Sequence, residues 1–171
     1  YVRDELRAGH QPGGKQCPDF QSRGCHYTRT TGIWQTVWME AVDPHGLKSI
    51  QIIPDLDGSQ FVLVPTFYAH RYGLSLRVTI SDGKEVINKV SVPAVDGVPL
   101  AVSVQNPRLW SPESPFLYDL DLELIDETGA QIDQVNSYAG LRKIHLQDGK
   151  VYLNNQPIFL RLVLDQGFYP D

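Results

Sequence analysis

The stretch LSLRVTISDGKEVINKVSV (Leu74–Val92) decides the fold of this chain. Apolar residues alternate with polar ones along its first half, which is the pattern of a strand with one buried face. Asp82-Gly83 follows as a tight turn, and Val86–Val92 continues as a second strand. The stretch therefore predicts an antiparallel β-hairpin, because such a dipeptide between two strands is a strong hairpin signal.

The same alternation predicts five further short strands. They lie at 48–53, 60–69, 98–105, 116–124 and 130–138. No amphipathic helix of useful length interrupts them, and all seven strands come before Gly140. Seven short strands with one apolar face each are typical of an all-β, immunoglobulin-like antiparallel β-sandwich. Cys17 and Cys25 lie outside it, so packing must hold its core, with Trp110 and Tyr118 as large core or interface residues.

Composition limits the partners of the chain. Its 42% of hydrophobic residues is ordinary for a globular fold. The net charge of −5 argues against a nucleic-acid partner, which would need a basic patch. There is no signal segment and no apolar run long enough to cross a bilayer, so no membrane contact is expected. The absence of an Asn-x-Ser/Thr sequon favours a bacterial or cytoplasmic setting, with the periplasm as the alternative.

Two apolar stretches flank the sandwich. Ile33–Val42 has the Trp and β-branched residues of a strand, without an identifiable partner before it. Ile158–Leu164 has the branching of a strand buried on both faces, as in a parallel sheet. We interpret both as strands of neighbouring domains, so the chain is expected to be a piece of a larger protein; an edge strand is the alternative for the first. Exposed flanks of this kind predict homo-oligomers.

Few residues suggest a metal site or a catalytic site. Cys17 and Cys25, with His10 and His26 nearby, lack the spacing of zinc ligands, so we predict no metal and no cofactor, and two reduced thiols rather than a disulfide. Asp55–Gly58 resembles a fragment of a calcium loop, but the remaining ligands do not follow, so it predicts a turn. Asp148-Gly149 and Asn154-Asn155 predict two hairpin turns.

Aromatic residues offer a second hypothesis, a platform on which sugar rings stack. Aromatics in a sandwich more often build the core or a domain interface, so this remains the minor interpretation. The residues concerned are Trp34, Trp38, Tyr68, Tyr72 and Trp110.

Five motifs, in the right order, resemble glycoside hydrolase family 2, which contains β-galactosidases, β-glucuronidases and β-mannosidases. They are GGKQ (Gly13–Gln16), TGIWQTVWMEAV (Thr31–Val42), PRLWSPESPFLYDLDLEL (Pro107–Leu124), SYAGLRKI (Ser137–Ile144) and VYLNNQPIFLRLVLDQGFYPD (Val151–Asp171). The resemblance implies three domains. Residues 1–43 would end a sugar-binding jelly roll, residues 44–140 would form the immunoglobulin-like sandwich, and residues 141–171 would form a hairpin and the first strand of a truncated TIM barrel.

The resemblance has departures. Ala139 stands where an aromatic residue is usual, and Asn155 stands where Gly is usual, although Asn tolerates the same turn. Leu162 replaces a frequent Gly. Gln166 stands where the better-known β-galactosidases have His, so galactoside specificity is not implied.

The resemblance implies retaining hydrolysis of a β-linked carbohydrate by two glutamates, one as nucleophile and one as acid/base. No residue matches either glutamate, and we interpret Glu40 and Glu113 as strand-end and turn residues. We therefore predict no catalytic residue here and a non-catalytic segment that positions the sugar-binding domain against the barrel. A stand-alone immunoglobulin-like module that binds carbohydrate or protein is the alternative.

Three residues are predicted to bind substrate because the C-terminal end of a first barrel strand faces the substrate pocket. Asp165 would accept a hydrogen bond from a sugar hydroxyl, and Arg161 would orient a carboxylate nearby. Gln166 lies beside them. The alternative is an Arg161–Asp165 pair with a structural role only.

Overall fold

The computed structural model describes residues 14–29, 32–33 and 35–164. These residues contain β-strands and no α-helix. No helix among them is therefore long and apolar enough to cross a membrane. They belong to two compact units. The larger unit is Ala41–Leu160, and the smaller one contains the described residues up to Glu40 together with 161–164.

Ten strands form the larger unit. They are β1 (Leu47–Asp55), β2 (Gln60–Phe67), β3 (Ser75–Asp82), β4 (Glu85–Pro93), β5 (Leu100–Ser103), β6 (Tyr118–Ile125), β7 (Gln131–Ala139), β8 (Ile144–Gln147), β9 (Lys150–Leu153) and β10 (Gln156–Ile158). The first seven coincide with the seven predicted strands, to within a few residues at their ends. The last three form a separate small sheet.

The seven strands make two antiparallel sheets, in the orders β1-β2-β5 and β4-β3-β6-β7. The predicted immunoglobulin-like sandwich is confirmed. Its fourth strand pairs with β3, so that Val78 lies opposite Val90, whereas a constant-type immunoglobulin domain has its fourth strand in the other sheet. The small sheet has the order β10-β9-β8, which is a simple meander.

Alternation places one face of each sheet in a shared core. The inward side chains of the four-stranded sheet include Leu76, Val78, Ile80, Leu120, Leu122 and Leu124, and those of the other sheet include Phe61, Leu63 and Val102. No polar or charged side chain among the described residues is buried there. The core is therefore held by apolar packing alone.

Tyr118 places a hydroxyl group at the edge of this core. Its ring packs edge-to-face against Phe61 and Phe116, with ring centres 5.9 and 4.7 Å apart. Its hydroxyl accepts a 2.7 Å hydrogen bond from the backbone N–H of Arg108. A Tyr at the start of the sixth strand that bonds back to upstream backbone is the tyrosine corner of immunoglobulin-like folds. The prediction of Tyr118 as a large core residue is confirmed.

Side-chain hydrogen bonds close the two sides where the sheets meet. Between β1 and β7, Asp133 Oδ2 accepts the Leu47 N–H at 2.8 Å. Between β4 and β5, Asn88 Nδ2 donates to the carbonyl oxygen of Ser103 at 2.8 Å and to its hydroxyl at 3.1 Å. The two sheets are thus joined at both sides without a continuous ladder.

The predicted turns are present. Asp148-Gly149 has φ values of 49° and 70°, and Asn154-Asn155 has values of 51° and 63°. Two central residues with positive φ define the hairpin turn that matches strand twist. Asp55–Gly58 is also a turn, since Asp55 Oδ1 accepts the Gly58 N–H at 3.0 Å.

The described residues of the two predicted flanking stretches form neither of the expected strands. Ile33 and residues 35–42 lie outside any strand, and Trp38 and Met39 are 74% and 97% exposed. Only Ile158 of the second stretch is in a strand, as the last residue of β10, and residues 159–164 are in none. A strand needs a neighbour for its backbone groups, and neither stretch has one among the described residues.

The smaller unit has a single described backbone bridge, between Gln16 and Tyr27. The Cys17 N–H donates to the Tyr27 carbonyl at 2.9 Å, and the Tyr27 N–H donates to the Lys15 carbonyl at 2.8 Å. Cys17 is buried, Cys25 is exposed, and both thiols are free.

Candidate functional site

The structure describes one of the three residues predicted to bind substrate. Arg161 is exposed, outside any strand, and belongs to the smaller unit. Asp165 and Gln166 lie outside the described residues. Their role in substrate binding stays a prediction. Of the two rejected carboxylates, Glu113 sits in the exposed Ser111–Ser114 turn and Glu40 is exposed outside any strand.

A different set of residues joins the small sheet to the sandwich, and Trp110 is at its centre. The Trp110 N–H donates to the Leu141 carbonyl at 3.0 Å. The Trp110 carbonyl in turn accepts a hydrogen bond of 2.9 Å from Asn154 Nδ2. Because Leu141 is fully buried in the sandwich core, these bonds connect the core directly to the turn between β9 and β10.

Asn154 ties three segments together. Besides its bond to Trp110, its Oδ1 accepts the Lys143 N–H at 3.0 Å. Its own N–H donates to the Lys143 carbonyl at 2.8 Å. Asn suits this position twice over, since it tolerates the positive φ of the turn and its amide carries both a donor and an acceptor.

Asp57 forms a second connection from the β1–β2 turn. Its carboxylate pairs with Lys143 Nζ through a short hydrogen bond and accepts a 3.2 Å hydrogen bond from Asn155 Nδ2. The bond from Lys143, followed by that from Asn155, lowers the pKa of Asp57. Asp57 is largely exposed, so this connection is weak compared with the buried contacts. We call Asp57, Trp110, Lys143, Asn154 and Asn155 the junction.

Gly140 and Trp110 pack so closely that any other residue at position 140 would require Trp110 to shift. A Cβ on Gly140 would lie 3.0 Å from Trp110 Cβ and 3.1 Å from Cγ and Cδ1 of its ring. Two residues further on, the Arg142 guanidinium lies over the same indole, 4.6 Å from the ring centre. Trp110, predicted as a core or interface residue, is half-buried and contacts the segment that follows β7.

Beside the junction lies a groove of about 350 Å³ between the ends of β1 and β7. Six of the residues that line it are Ile52, Pro54, Trp110, Leu117, Tyr138 and Arg142. We call this surface the Trp110 groove. Arg142 is its charged residue, and no ion pair is formed by Arg142 with the residues that the structure describes.

The aromatic residues considered as a sugar platform are not gathered in one place. Tyr68 lines a separate cavity of about 240 Å³, and the Tyr72 ring lies edge-on to His70, 4.6 Å between ring centres. Trp34 lies outside the described residues. The ring that accompanies Trp110 is Tyr138, which we did not identify from the sequence. The sequence does contain a signal for Tyr138, because the alternation of β7 places this large aromatic residue on the outward face of the strand.

The described residues contain no group of His, Cys, Asp and Glu side chains that could hold a metal ion. Around the Trp110 groove the structure provides hydrogen bonds, aromatic rings and the guanidinium of Arg142. Such an arrangement can fix the position of a neighbouring segment or bind a ligand.

Solved structures share this fold. A β-glucuronidase 3 of Bacteroides uniformis superposes with a TM-score of 0.54 at 24% identity, over 68% of this chain and 15% of that one. A β-glucuronidase of Ruminococcus gnavus superposes with a TM-score of 0.53 at 20% identity, over 67% of this chain and 19% of that one. At such identity the likeness establishes the class of fold, an immunoglobulin-like sandwich of the kind found within larger bacterial enzymes.

Sequence comparison gives the family. The family model of the glycosyl hydrolases family 2 matches residues 47–142, more than half of the chain. The chain belongs to this family. It is 38% identical to a β-galactosidase of Leuconostoc mesenteroides over 69% of this chain and 11% of that protein. It is 27% identical to a β-galactosidase of Lactococcus lactis over 84% of this chain and 14% of that protein. The chain thus spans about a seventh or less of these two bacterial relatives and corresponds to a domain of a glycoside hydrolase.

Proposed function

We propose that this chain is the non-catalytic central segment of a retaining β-glycoside hydrolase, and that its sandwich positions a sugar-binding domain against a catalytic barrel. The small share of each β-galactosidase relative that the chain spans supports this role. On the same proposal, residues 1–43 end the sugar-binding domain and residues 141–171 begin the barrel. A β-linked carbohydrate is the substrate of the whole enzyme.

The junction is the observation that carries the proposal. A spacer must fix the direction in which the chain leaves it, and here Asn154 bonds the last turn both to Lys143 and to Trp110. Asp57 holds the same residue, Lys143, through its ammonium group. The hairpin and the sandwich form one compact unit, Ala41–Leu160, as a rigid spacer requires.

Three substrate contacts complete the proposal. Arg161, Asp165 and Gln166 would follow the hairpin at the C-terminal end of a first barrel strand, where barrel enzymes place substrate loops. Support for them comes from the family membership of the chain and from their place in the sequence.

The test uses nitrophenyl β-glycosides of galactose, glucuronic acid, mannose and glucose. This 171-residue chain should hydrolyse none of them, and the longer protein that the proposal implies should hydrolyse one. In that longer protein, Asn154→Gly should lower kcat/KM, because it frees the turn without adding strain at its positive φ. Asn155→Gly is the matched control and should have little effect.

Two results would overturn the proposal. Hydrolysis by the 171-residue chain would show that it holds a catalytic pair. Equal kcat/KM for Asn154→Gly and the unchanged longer protein would show that the junction does not position the barrel.

A further inference from the structure

We infer that the Trp110 groove binds a sugar that carries a carboxylate, that is, a uronic acid residue. This inference does not depend on the proposed spacer role, since the groove lies entirely within the larger unit. Three properties of the groove carry it: a guanidinium that lies over Trp110 without an ion pair among the described residues, an exposed aromatic ring beside it, and an apolar floor of limited size.

The backbone on both sides of Arg142 is held in place. Leu141, on one side, is buried and accepts the Trp110 N–H, and Lys143, on the other side, donates its N–H to Asn154. The guanidinium, on an exposed side chain, lies over the Trp110 ring, 4.6 Å from the ring centre. This contact favours one orientation before any ligand arrives, which reduces the entropy lost on binding.

The same guanidinium lacks an acidic partner among the residues that the structure describes. The chain as a whole carries a charge of −5, and two other arginines of the sandwich, Arg77 and Arg108, are paired with Glu123 and Asp82. Arg71 also lacks an ion pair among the described residues, but it does not line this groove. A planar guanidinium matches a carboxylate through two parallel hydrogen bonds. The complementary group for this groove is thus a carboxylate.

Tyr138 provides a surface for the rest of the ligand. It is 68% exposed although it is a large aromatic residue, and it lines the groove together with Leu117, Ile52 and Pro54. A pyranose ring has an apolar C–H face that can lie on an aromatic ring and hydroxyl groups at its rim that can bond to a phenol. A uronic acid adds the carboxylate that Arg142 requires.

The size of the groove fits one or two sugar rings. Its volume of about 350 Å³ is at the lower end of the roughly 300–1,000 Å³ found for small-molecule sites. An acidic peptide side chain would offer the same carboxylate but no flat C–H face for Tyr138. Carbohydrate is also the ligand chemistry of the family to which the chain belongs.

The experiment is an NMR titration of the 171-residue chain with methyl β-D-glucuronide and methyl β-D-glucoside, which differ only in the carboxylate. The glucuronide should bind about tenfold or more tightly than the glucoside, as expected for a charge-assisted pair. Shifts should be confined to the amides around Trp110, Tyr138 and Arg142. The titration measures binding and not hydrolysis, so its result is independent of the test of catalysis with nitrophenyl glycosides.

Variants assign the effect to the groove. Arg142→Gln should remove the preference for the glucuronide. Arg142→Lys keeps the charge but not the two parallel N–H donors of the guanidinium, so it should retain part of the preference. Tyr138→Ala should weaken both ligands. Tyr72→Ala is the matched control, because Tyr72 is also exposed but does not line the groove, and it should change neither affinity.

The inference is overturned if neither glycoside binds, if both bind equally, or if the preference survives in folded Arg142→Gln. It is also overturned if N-acetyl-aspartate amide binds as tightly as the glucuronide. That result would mean that the groove accepts any carboxylate, as a binding site for an acidic protein segment would.

Discussion

The sandwich and the small β8–β10 sheet are held in opposite ways. The sandwich encloses a core without a buried polar side chain among the described residues, whereas no residue of β8, β9 or β10 is fully buried. The small sheet is held at the junction by hydrogen bonds of Asn154 and Asp57. Apolar packing gives the sandwich its stability, and directional bonds give the small sheet its position. We therefore expect the two regions to respond to substitution separately.

The largest effect is expected from Leu122→Ala in the sandwich. Loss of a fully buried leucine should reduce the free energy of unfolding by about 2–5 kcal/mol. The matched control is Leu146→Ala on β8, where the side chain is 77% exposed, and the change should stay within about 0.5 kcal/mol. Urea unfolding of both variants measures the difference. Similar losses in the two would show that the small sheet is as tightly packed as the sandwich.

Gly140→Ala tests the point where the two regions meet. The new methyl would lie 3.0 Å from Trp110 Cβ, and the overpacking should cost about 1–3 kcal/mol. A thermal unfolding curve of the single variant should shift downward. In the double variant with Trp110→Gly, which removes Cβ and the ring together, the loss should be smaller than the sum of the two single losses, because the clashing atoms are gone. Simple additivity would contradict the contact.

Asn154→Gly should release the small sheet and leave the sandwich intact. The glycine accepts the positive φ of 51°, but the side-chain bonds to Lys143 and Trp110 are lost. Local opening of β8–β10 should become easier by about 1–2 kcal/mol. Hydrogen exchange should accelerate at the amides of β9 and stay unchanged in β3 and β6. Asn155→Gly, which loses only the exposed bond to Asp57, should have a smaller effect.

The smallest effect is a pH dependence at Asp57. Its pKa is lowered in the folded chain by the bond from Lys143, so the ionised form is favoured by folding. The stabilisation is present above the ordinary pKa of about 3.9 and is lost as pH falls through the lowered value. Asp55 has a lowered pKa of the same sign, first through its bond from Gln60, so the comparison is made with Asp57→Asn. The stability difference between the two proteins should shrink below about pH 3.9; a constant difference would contradict the assignment.

Much of the fold could be predicted because local patterns determine it. Alternation in Leu74–Val92 and in the strands around it follows from which face is buried, and Asp148-Gly149 and Asn154-Asn155 are turn residues by their own geometry. The β3–β4 pairing follows from the predicted hairpin, but the position of β6 beside β3 could not be predicted, because that pairing depends on contacts between distant segments.

The flanking stretches show that strand-like composition alone does not predict a strand. Ile33–Val42 has strand-like composition, yet Trp38 is exposed and the described residues of this stretch form no strand. Composition describes what a segment can bury, whereas a ladder also requires a neighbour. The junction escaped prediction for a related reason. Asn154 was expected to form a turn, but its bond to the Trp110 carbonyl, 44 residues away, leaves no local signature.

The bond between Asp133 and the Leu47 N–H also sets the order of events during synthesis. Its two residues are 86 positions apart, so β1 must wait for β7 before that side of the sandwich is closed. At a translation rate of about 5–20 residues per second, the wait lasts roughly 4–17 s. A nascent chain stalled before β7 should be cut by protease within β1, and one stalled well beyond Ala139 should resist. The first strand of this domain is therefore more vulnerable to protease on the ribosome than in the finished protein.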